Sequence, residues 1–146
     1  MLVKDIMQKS LVCCTQDTRL EYIARMMAER DCGFIPIVNS PEAMNPVGVI
    51  TDRDIVCRTL ARGKDPMSMT AGCCMTMPAR TVLADTPLED CLREMERFQI
   101  RRMVVVDAQG RCCGVIAQAD IARCASEEQA AELLREVSEP ASVHAT

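Results

Sequence analysis

The chain has no tryptophan, two phenylalanines, one tyrosine and a single histidine. Three aromatics cannot build the stacking platforms on which single-stranded nucleic acids are held. His144, close to the end, is a poor candidate for acid–base work or for a His-ligated metal centre. No apolar run reaches the length of a bilayer span, and Met1-Leu2-Val3-Lys4-Asp5 lacks the apolar stretch of an export signal. A reduced, cytoplasmic protein without membrane contact is therefore expected. The formal net charge of -4 gives no electrostatic reason to bind nucleic acid. No C-x-x-C occurs despite ten cysteines, which removes the usual zinc and thioredoxin-type signals.

What is present is enough for a core. The 146 residues are 49% hydrophobic and 26% charged, one compact domain's worth of chain. That core is written twice. Leu20, Ile23, Ala24 and Met27 form an i, i+3, i+4, i+7 stripe, and the same stripe returns 68 residues later as Leu88, Cys91, Leu92 and Met95. Thr18-Arg19-Leu20-Glu21 and Thr86-Pro87-Leu88-Glu89 both read as capping boxes, with Pro87 at the first helical position. The same offset carries Ile35-Pro36-Ile37-Val38-Asn39 onto Met103-Val104-Val105-Val106-Asp107, two buried strands ending in turn residues. Val47-Gly48-Val49-Ile50 recurs as Cys113-Gly114-Val115-Ile116, and Asp54-Ile55 as Asp120-Ile121, both at an offset of 66. The loop between the strands has lost two residues in the second copy. Each copy reads strand, helix, strand, strand, helix, with the leading strand near Leu11–Cys14 or Arg80–Leu83.

A unit of about 60 residues buries too little surface alone, so the copies should pack together. The expected division is a first repeat over 1–62, a linker over 63–76, a second repeat over 77–126 and an acidic tail over 127–146. Basic and acidic groups cancel through residue 126, and the whole net charge lies in the tail, where Arg135 faces Glu127, Glu128, Glu132, Glu136 and Glu139. The tail begins as a helix with a stripe of Ala130, Leu133, Leu134 and Val137 and frays from Pro140.

The order Asp5-Ile6-Met7, capped helix, Ile35-Pro36-Ile37-Val38-Asn39 and Gly48-Val49-Ile50-Thr51-Asp52-Arg53-Asp54-Ile55 resembles the cystathionine-β-synthase (CBS) domain. Cys73-Cys74-Met75-Thr76, Ile100 to Asp107 and Gly114-Val115-Ile116-Ala117-Gln118-Ala119-Asp120-Ile121 supply a second copy. The resemblance covers residues 3 to about 125 and looks like a stand-alone CBS pair. It implies an α+β fold of two β-α-β-β-α repeats packed as a pseudo-two-fold pair, followed by a short C-terminal helix. It also implies clefts between the repeats that take adenosyl ligands such as AMP, ADP, ATP, NAD or S-adenosylmethionine, and a flat homodimer formed through the helices. In the family, the aspartate of the G-h-x-T/S-x-x-D motif accepts from ribose hydroxyls, and the hydroxyl residue with the helix start holds phosphate.

Carried onto this sequence, the first site uses Thr51, Arg53 and Asp54, with Val49 and the Gly33-Phe34-Ile35 backbone beside the adenine and Met75 and Arg80 from the second repeat. The mirror site uses Asp120, with Arg101 and Arg102 on the phosphate and Met7, Val12 and Cys13 from the first repeat. Ala117 stands where the family has Thr or Ser, so two unequal sites are expected, the Asp54 site the more complete. The implied function is a non-enzymatic regulatory module that senses an adenine nucleotide by changing shape and passes the signal to a regulated protein. The alternative is a regulatory subunit that works by protein contact without nucleotide.

Simpler readings exist for the same residues. Thr51-x-x-Asp54 can be a helix cap that stabilises by about 1 kcal/mol. Arg101-Arg102 can be a solvated pair, with at most one side chain in the cleft. The adjacent pairs Cys13-Cys14, Cys73-Cys74 and Cys112-Cys113 point to opposite faces in a strand, so neither partner can bridge the other or share a metal with it. A redox role for Cys13 is testable through its thiol pKa.

Overall fold

The computed structural model describes residues 1–9 and 11–138. The tail stripe from Ala130 to Val137 falls outside the residues whose side chains are described, and Pro140 and His144 lie outside the described residues altogether.

After a one-turn helix, α1 (Val3–Ile6), the first repeat runs α2 (Leu20–Arg30), β1 (Phe34–Val38), β2 (Pro46–Thr51) and α3 (Asp52–Arg58). The second runs β3 (Thr81–Leu83), α4 (Leu88–Phe98), β4 (Arg102–Val106), β5 (Cys112–Ala117) and α5 (Gln118–Ser138). β1 and β2 form an antiparallel hairpin with an irregularity between Ile37 and Val38; β4 and β5 repeat it with the irregularity between Val105 and Val106. β3 adds to β4 in parallel. Its counterpart in the first repeat is a single parallel bridge, Cys14 to Ile37. The expected tail helix is the continuation of α5. No glycine or proline interrupts residues 118–138, and their Ala, Glu and Leu are strong helix formers.

Both helix starts differ from expectation. Neither Thr18 nor Thr86 caps its helix; α2 and α4 begin at Leu20 and Leu88, with Arg19 and Pro87 as uncapped flanking residues. The Thr18 hydroxyl instead accepts from the Thr15 amide at 3.1 Å. The helical amides are satisfied by distant backbone: Leu20 donates to the Met69 carbonyl at 3.0 Å and Leu88 to the Met1 carbonyl at 3.1 Å. A carbonyl delivered by another segment leaves the hydroxyl nothing to do there.

Those carbonyls immediately precede two exchanged segments. Residues 2–8 lie on the second repeat, through the bridges Leu2 to Pro87 and Gln8 to Val115 and a Lys4–Asp85 ion pair at 2.8 Å. Residues 70–76 lie on the first repeat in the same way, through Arg19 to Thr70 and Val49 to Thr76. The cores follow the exchange. Ala71, Cys74 and Met75 complete a core of Leu20, Ile23, Met26, Met27, Ile35, Ile37 and Ile50, while Val3 completes one of Val82, Cys91, Met95, Met103, Val105, Ile116 and Ile121. Burying each of the Val, Leu, Ile and Met side chains among them contributes roughly 1.5–3 kcal/mol. Met26 takes the inward place expected of Ala24, which is exposed.

Two glycines permit this docking. A Cβ on Gly48 would stand 2.6 Å from the Thr76 carbonyl oxygen, and one on Gly114 would stand 2.7 Å from Met7 Sδ and 3.0 Å from the Gln8 carbonyl oxygen. A third cluster joins the repeats: Val38 with Val104 and Cys112, flanked by Leu11, Cys13, Phe34, Met44 and Val49.

Candidate functional site

Each hairpin returns its second strand directly into a helix, so a carboxylate three residues past the strand end folds back on the strand's last amide. Asp54 Oδ2 accepts from the Thr51 amide at 3.0 Å, and the Thr51 hydroxyl accepts from the Asp54 amide at 3.0 Å. Asp120 Oδ2 accepts from the Ala117 amide at 3.2 Å, with no hydroxyl to reciprocate. The cap reading of Thr51-x-x-Asp54 thus describes real bonds. The remaining partners differ. Asp54 lies 3.7 Å from Arg58 Nε and receives the Thr76 hydroxyl at 3.4 Å. Arg58 meanwhile donates to the Met75 carbonyl at 2.9 Å, tying α3 to the exchanged segment. Asp120, 9% exposed, has Arg123 at 3.1 Å from Oδ1.

Two clefts lie between the repeats. The larger, 560 Å³, is bounded by the Asp120 strand end, by residues Arg30 to Pro36 of the first repeat, by Leu11 and Val12, and by Arg102 and Arg123. The smaller, 240 Å³, is bounded by Val49 and Thr51, by Thr76, Pro78 and Arg80, and by Ile100, Arg101 and Arg102, with Phe34 at its edge.

This arrangement exchanges several expected residues between the clefts. Thr51, Val49, Phe34 and Arg80 come together as expected, and so do Asp120, Arg102 and Val12. Gly33 and Ile35 belong to the Asp120 cleft, however, and Arg101 to the Thr51 cleft. The cause is the pseudo-two-fold packing, which sets the strand end of one repeat against the residues that lead into the first hairpin strand of the other. Both arginines of the 101–102 pair line the Thr51 cleft, where at most one was expected. Arg101 precedes the strand and so escapes its alternation.

Five expected residues line neither cleft. Asp54 is turned to the backbone, Arg53 is exposed on α3, Met75 is buried in the first core and Met7 packs on the second. Cys13 sits behind the wall formed by Leu11 and Val12, in the cluster that joins the repeats. The Asp120 cleft is also the larger of the two. At symmetry-related positions the Thr51 cleft carries Arg80 and Arg101 where the Asp120 cleft has Val12 and Gly33, and the long side chains occupy space. Arg30, Asp31, Cys32 and Arg123 are cleft residues that the motif comparison missed. The offset of 68 that carries Cys32 onto Ile100 was the available signal for Cys32.

The thiols separate by environment. Burial pushes Cys14, Cys74, Cys91 and Cys113 up, while hydrogen bonds from Thr70 hold the exposed Cys73 below the ordinary value. Among the described residues no three His, Cys, Asp or Glu side chains gather as a metal site, and no helix is long and apolar enough to cross a membrane.

Comparison with known proteins agrees with this architecture. The CBS domain family matches residues 3–58 and 71–127, so the family boundary places the second exchanged segment with the second repeat. Hypoxic response protein 1 of Mycobacterium tuberculosis is 33% identical over 137 residues, 94% of each chain. The CBS domain-containing protein YhcV of Bacillus subtilis is 31% identical over 140 residues, 93% of this chain and 94% of that one. Among solved structures, Hypoxic Response Protein I with two coordinated zinc ions superposes at a TM-score of 0.73 with 34% identity, over 84% of this chain and 98% of that one. The CBS domain pair of protein MJ0100, in complex with 5′-methylthioadenosine and S-adenosyl-L-methionine, superposes at 0.76 with 27% identity, over 88% and 98%. With the repeat, the exchanged segments and these matches in agreement, the chain belongs to the CBS-domain family and carries two CBS repeats as a pair.

Proposed function

We propose that this CBS pair is a regulatory module that binds an adenosyl ligand between its repeats and responds by changing their arrangement. The observation that carries the reading is the 560 Å³ cleft around Asp120, a size typical of small-molecule sites. Its chemistry suits a nucleoside. Leu11, Val12, Ile35 and Val115 offer aliphatic walls for a purine. Asp120 keeps free lone pairs to accept from vicinal hydroxyls, and Arg102 and Arg123 supply cationic donors for an anionic end. The Thr51 cleft carries Arg80, Arg101 and Arg102 with no carboxylate in its lining, so its preference is for the more anionic ligand. AMP, ADP, ATP, NAD and S-adenosylmethionine are the ligands to compare, and the binding partner of MJ0100 makes the last a natural choice.

Asp31, Cys32 and Asp120 line the larger cleft, and among the described residues no side-chain hydrogen bond joins any two of them as a nucleophile and its base, so the reading is of a sensor and not of an enzyme. A cytoplasmic homodimer associating through its helices is the proposed state, with a regulated protein as its target. A ligand shifts the population of inter-repeat arrangements only by its differential affinity for them.

Calorimetric titration of these ligands into wild type, Asp120→Ala and Asp54→Ala tests the reading. Binding that Asp120→Ala weakens at least tenfold, in a protein that stays folded, supports it. Absence of binding to well-folded protein for every ligand overturns it in favour of a subunit that acts by protein contact alone.

A further inference from the structure

Ten cysteines in one short chain are mostly core filler, but one pair is placed differently. Cys13 Sγ and Cys112 Sγ lie 3.8 Å apart, 99 positions apart in sequence, within thiol hydrogen-bond reach. Among the described residues no other two cysteines are hydrogen-bonded to each other. Cys13 follows the first exchanged segment and belongs to the first repeat; Cys112 opens β5 of the second. Both sit in the cluster of Val38, Val104, Phe34 and Val49 that joins the repeats. Phe34 and Val49 of that cluster line the Thr51 cleft, and Leu11 and Val12, next to Cys13, line the Asp120 cleft.

We propose that Cys13 and Cys112 form a dithiol–disulfide pair that ties the two repeats together covalently behind both clefts when the protein meets a small-molecule disulfide. Forming the bond brings the sulfurs from 3.8 Å to the roughly 2.05 Å of a disulfide, with Cys13 half-buried. The roles follow from access and hydrogen bonding. Cys13 is partly exposed and Cys112 is buried, so Cys13 is the sulfur that a small disulfide can reach, and the contact between the two sulfurs holds it below the ordinary cysteine value; it is the attacking thiolate. Cys112 is buried and pushed up by the same contact and by burial, so it stays protonated until it resolves.

In the first step Cys13 sulfur bonds to one sulfur of the small disulfide, whose S–S bond breaks and releases one thiolate. In the second, Cys112 gives up its proton and attacks Cys13 sulfur, releasing the second thiolate. The two cysteines lose two electrons and two protons, and the small disulfide becomes two thiols. Nothing in this chemistry depends on a nucleotide being bound.

The test incubates the full-length protein with glutathione disulfide, quenches in acid, alkylates the remaining thiols and maps the peptides without reduction. The expected product is a monomeric chain lighter by two hydrogens, in which tryptic peptide 10–19 is joined to 112–123 and fragmentation places the bond at Cys13 and Cys112. Cys112→Ala should instead stop at a mixed disulfide with glutathione on Cys13, a readout that does not rely on the cross-link. The proposal is overturned if folded wild type stays fully reduced, or if the bond formed joins two chains or runs through Cys14 or Cys113.

Discussion

The guanidinium carbon of Arg102 lies 6.0 Å from the centroid of the Phe34 ring, and these two residues are mates under the 68-residue repeat. Each leads the first strand of its hairpin, and each lines both clefts. One repeat therefore presents a ring, and the other a cation, at the place where the two clefts meet.

Removing the charge there should weaken both sites at once. With an anionic adenosyl ligand, Arg102→Gln is expected to lose about 1.5–3 kcal/mol of a charge-assisted bond, tenfold or more in affinity, at each cleft. Arg80→Gln should affect the Thr51 cleft alone. Calorimetry resolving two binding steps checks this, and an Arg102→Gln variant altered at only one step would contradict the shared position.

Gly48→Ala should destabilise more than Gly114→Ala. The added methyl at Gly48 meets the fixed Thr76 carbonyl oxygen, whereas at Gly114 its nearest neighbour is the sulfur of Met7, which can swing aside. Urea unfolding should show a loss of about 1–3 kcal/mol for Gly48→Ala, as for other overpacked sites, and a smaller one for Gly114→Ala. Equal losses would mean that the exchanged segments yield equally.

Residues near the chain start stabilise the distant repeat. Deleting residues 1–8 removes the fully buried Val3 and the Met1 carbonyl that receives Leu88. Amide exchange should then accelerate first in β4 and β5, while Ile35 and Ile37 in β1 keep more of their protection. Faster exchange confined to the first repeat would contradict the exchange of segments.

Thr51→Ala is expected to cost about 1 kcal/mol of stability through loss of the cap bond to the Asp54 amide. Ala117→Thr should recover a similar amount by giving Asp120 the reciprocal bond that it lacks. Thermal melts of both variants test the pair of signs.

Alkylation should find Cys73 well before Cys14, Cys74 or Cys91. Its thiol is exposed and held low by Thr70, so its thiolate forms at lower pH, and burial holds the others in the protonated form. The rate at Cys73 should rise with pH with its midpoint below the ordinary cysteine value. Thr70→Val should move that midpoint upward.

Hydrophobic period and turn residues alone carry the local structure here. The 68-residue offset, the stripes on α2 and α4 and the two hairpins are visible in sequence because each records a face that has to be buried. The cap of α3 is visible as well, since Thr51 and Asp54 meet through bonds three residues long. What the sequence could not order was everything made between the repeats. The helix starts are satisfied by Met1 and Met69, far along the chain, so the local capping signal at Thr18 and Thr86 misled. Arg101 and Gly33 line opposite clefts because packing about a pseudo-two-fold axis sets each strand end against the other repeat. Cys13 and Cys112 meet for the same reason, at a separation of 99 that no local pattern encodes. Periodicity determines which face an element buries; only the packing of the two copies decides which element it is buried against.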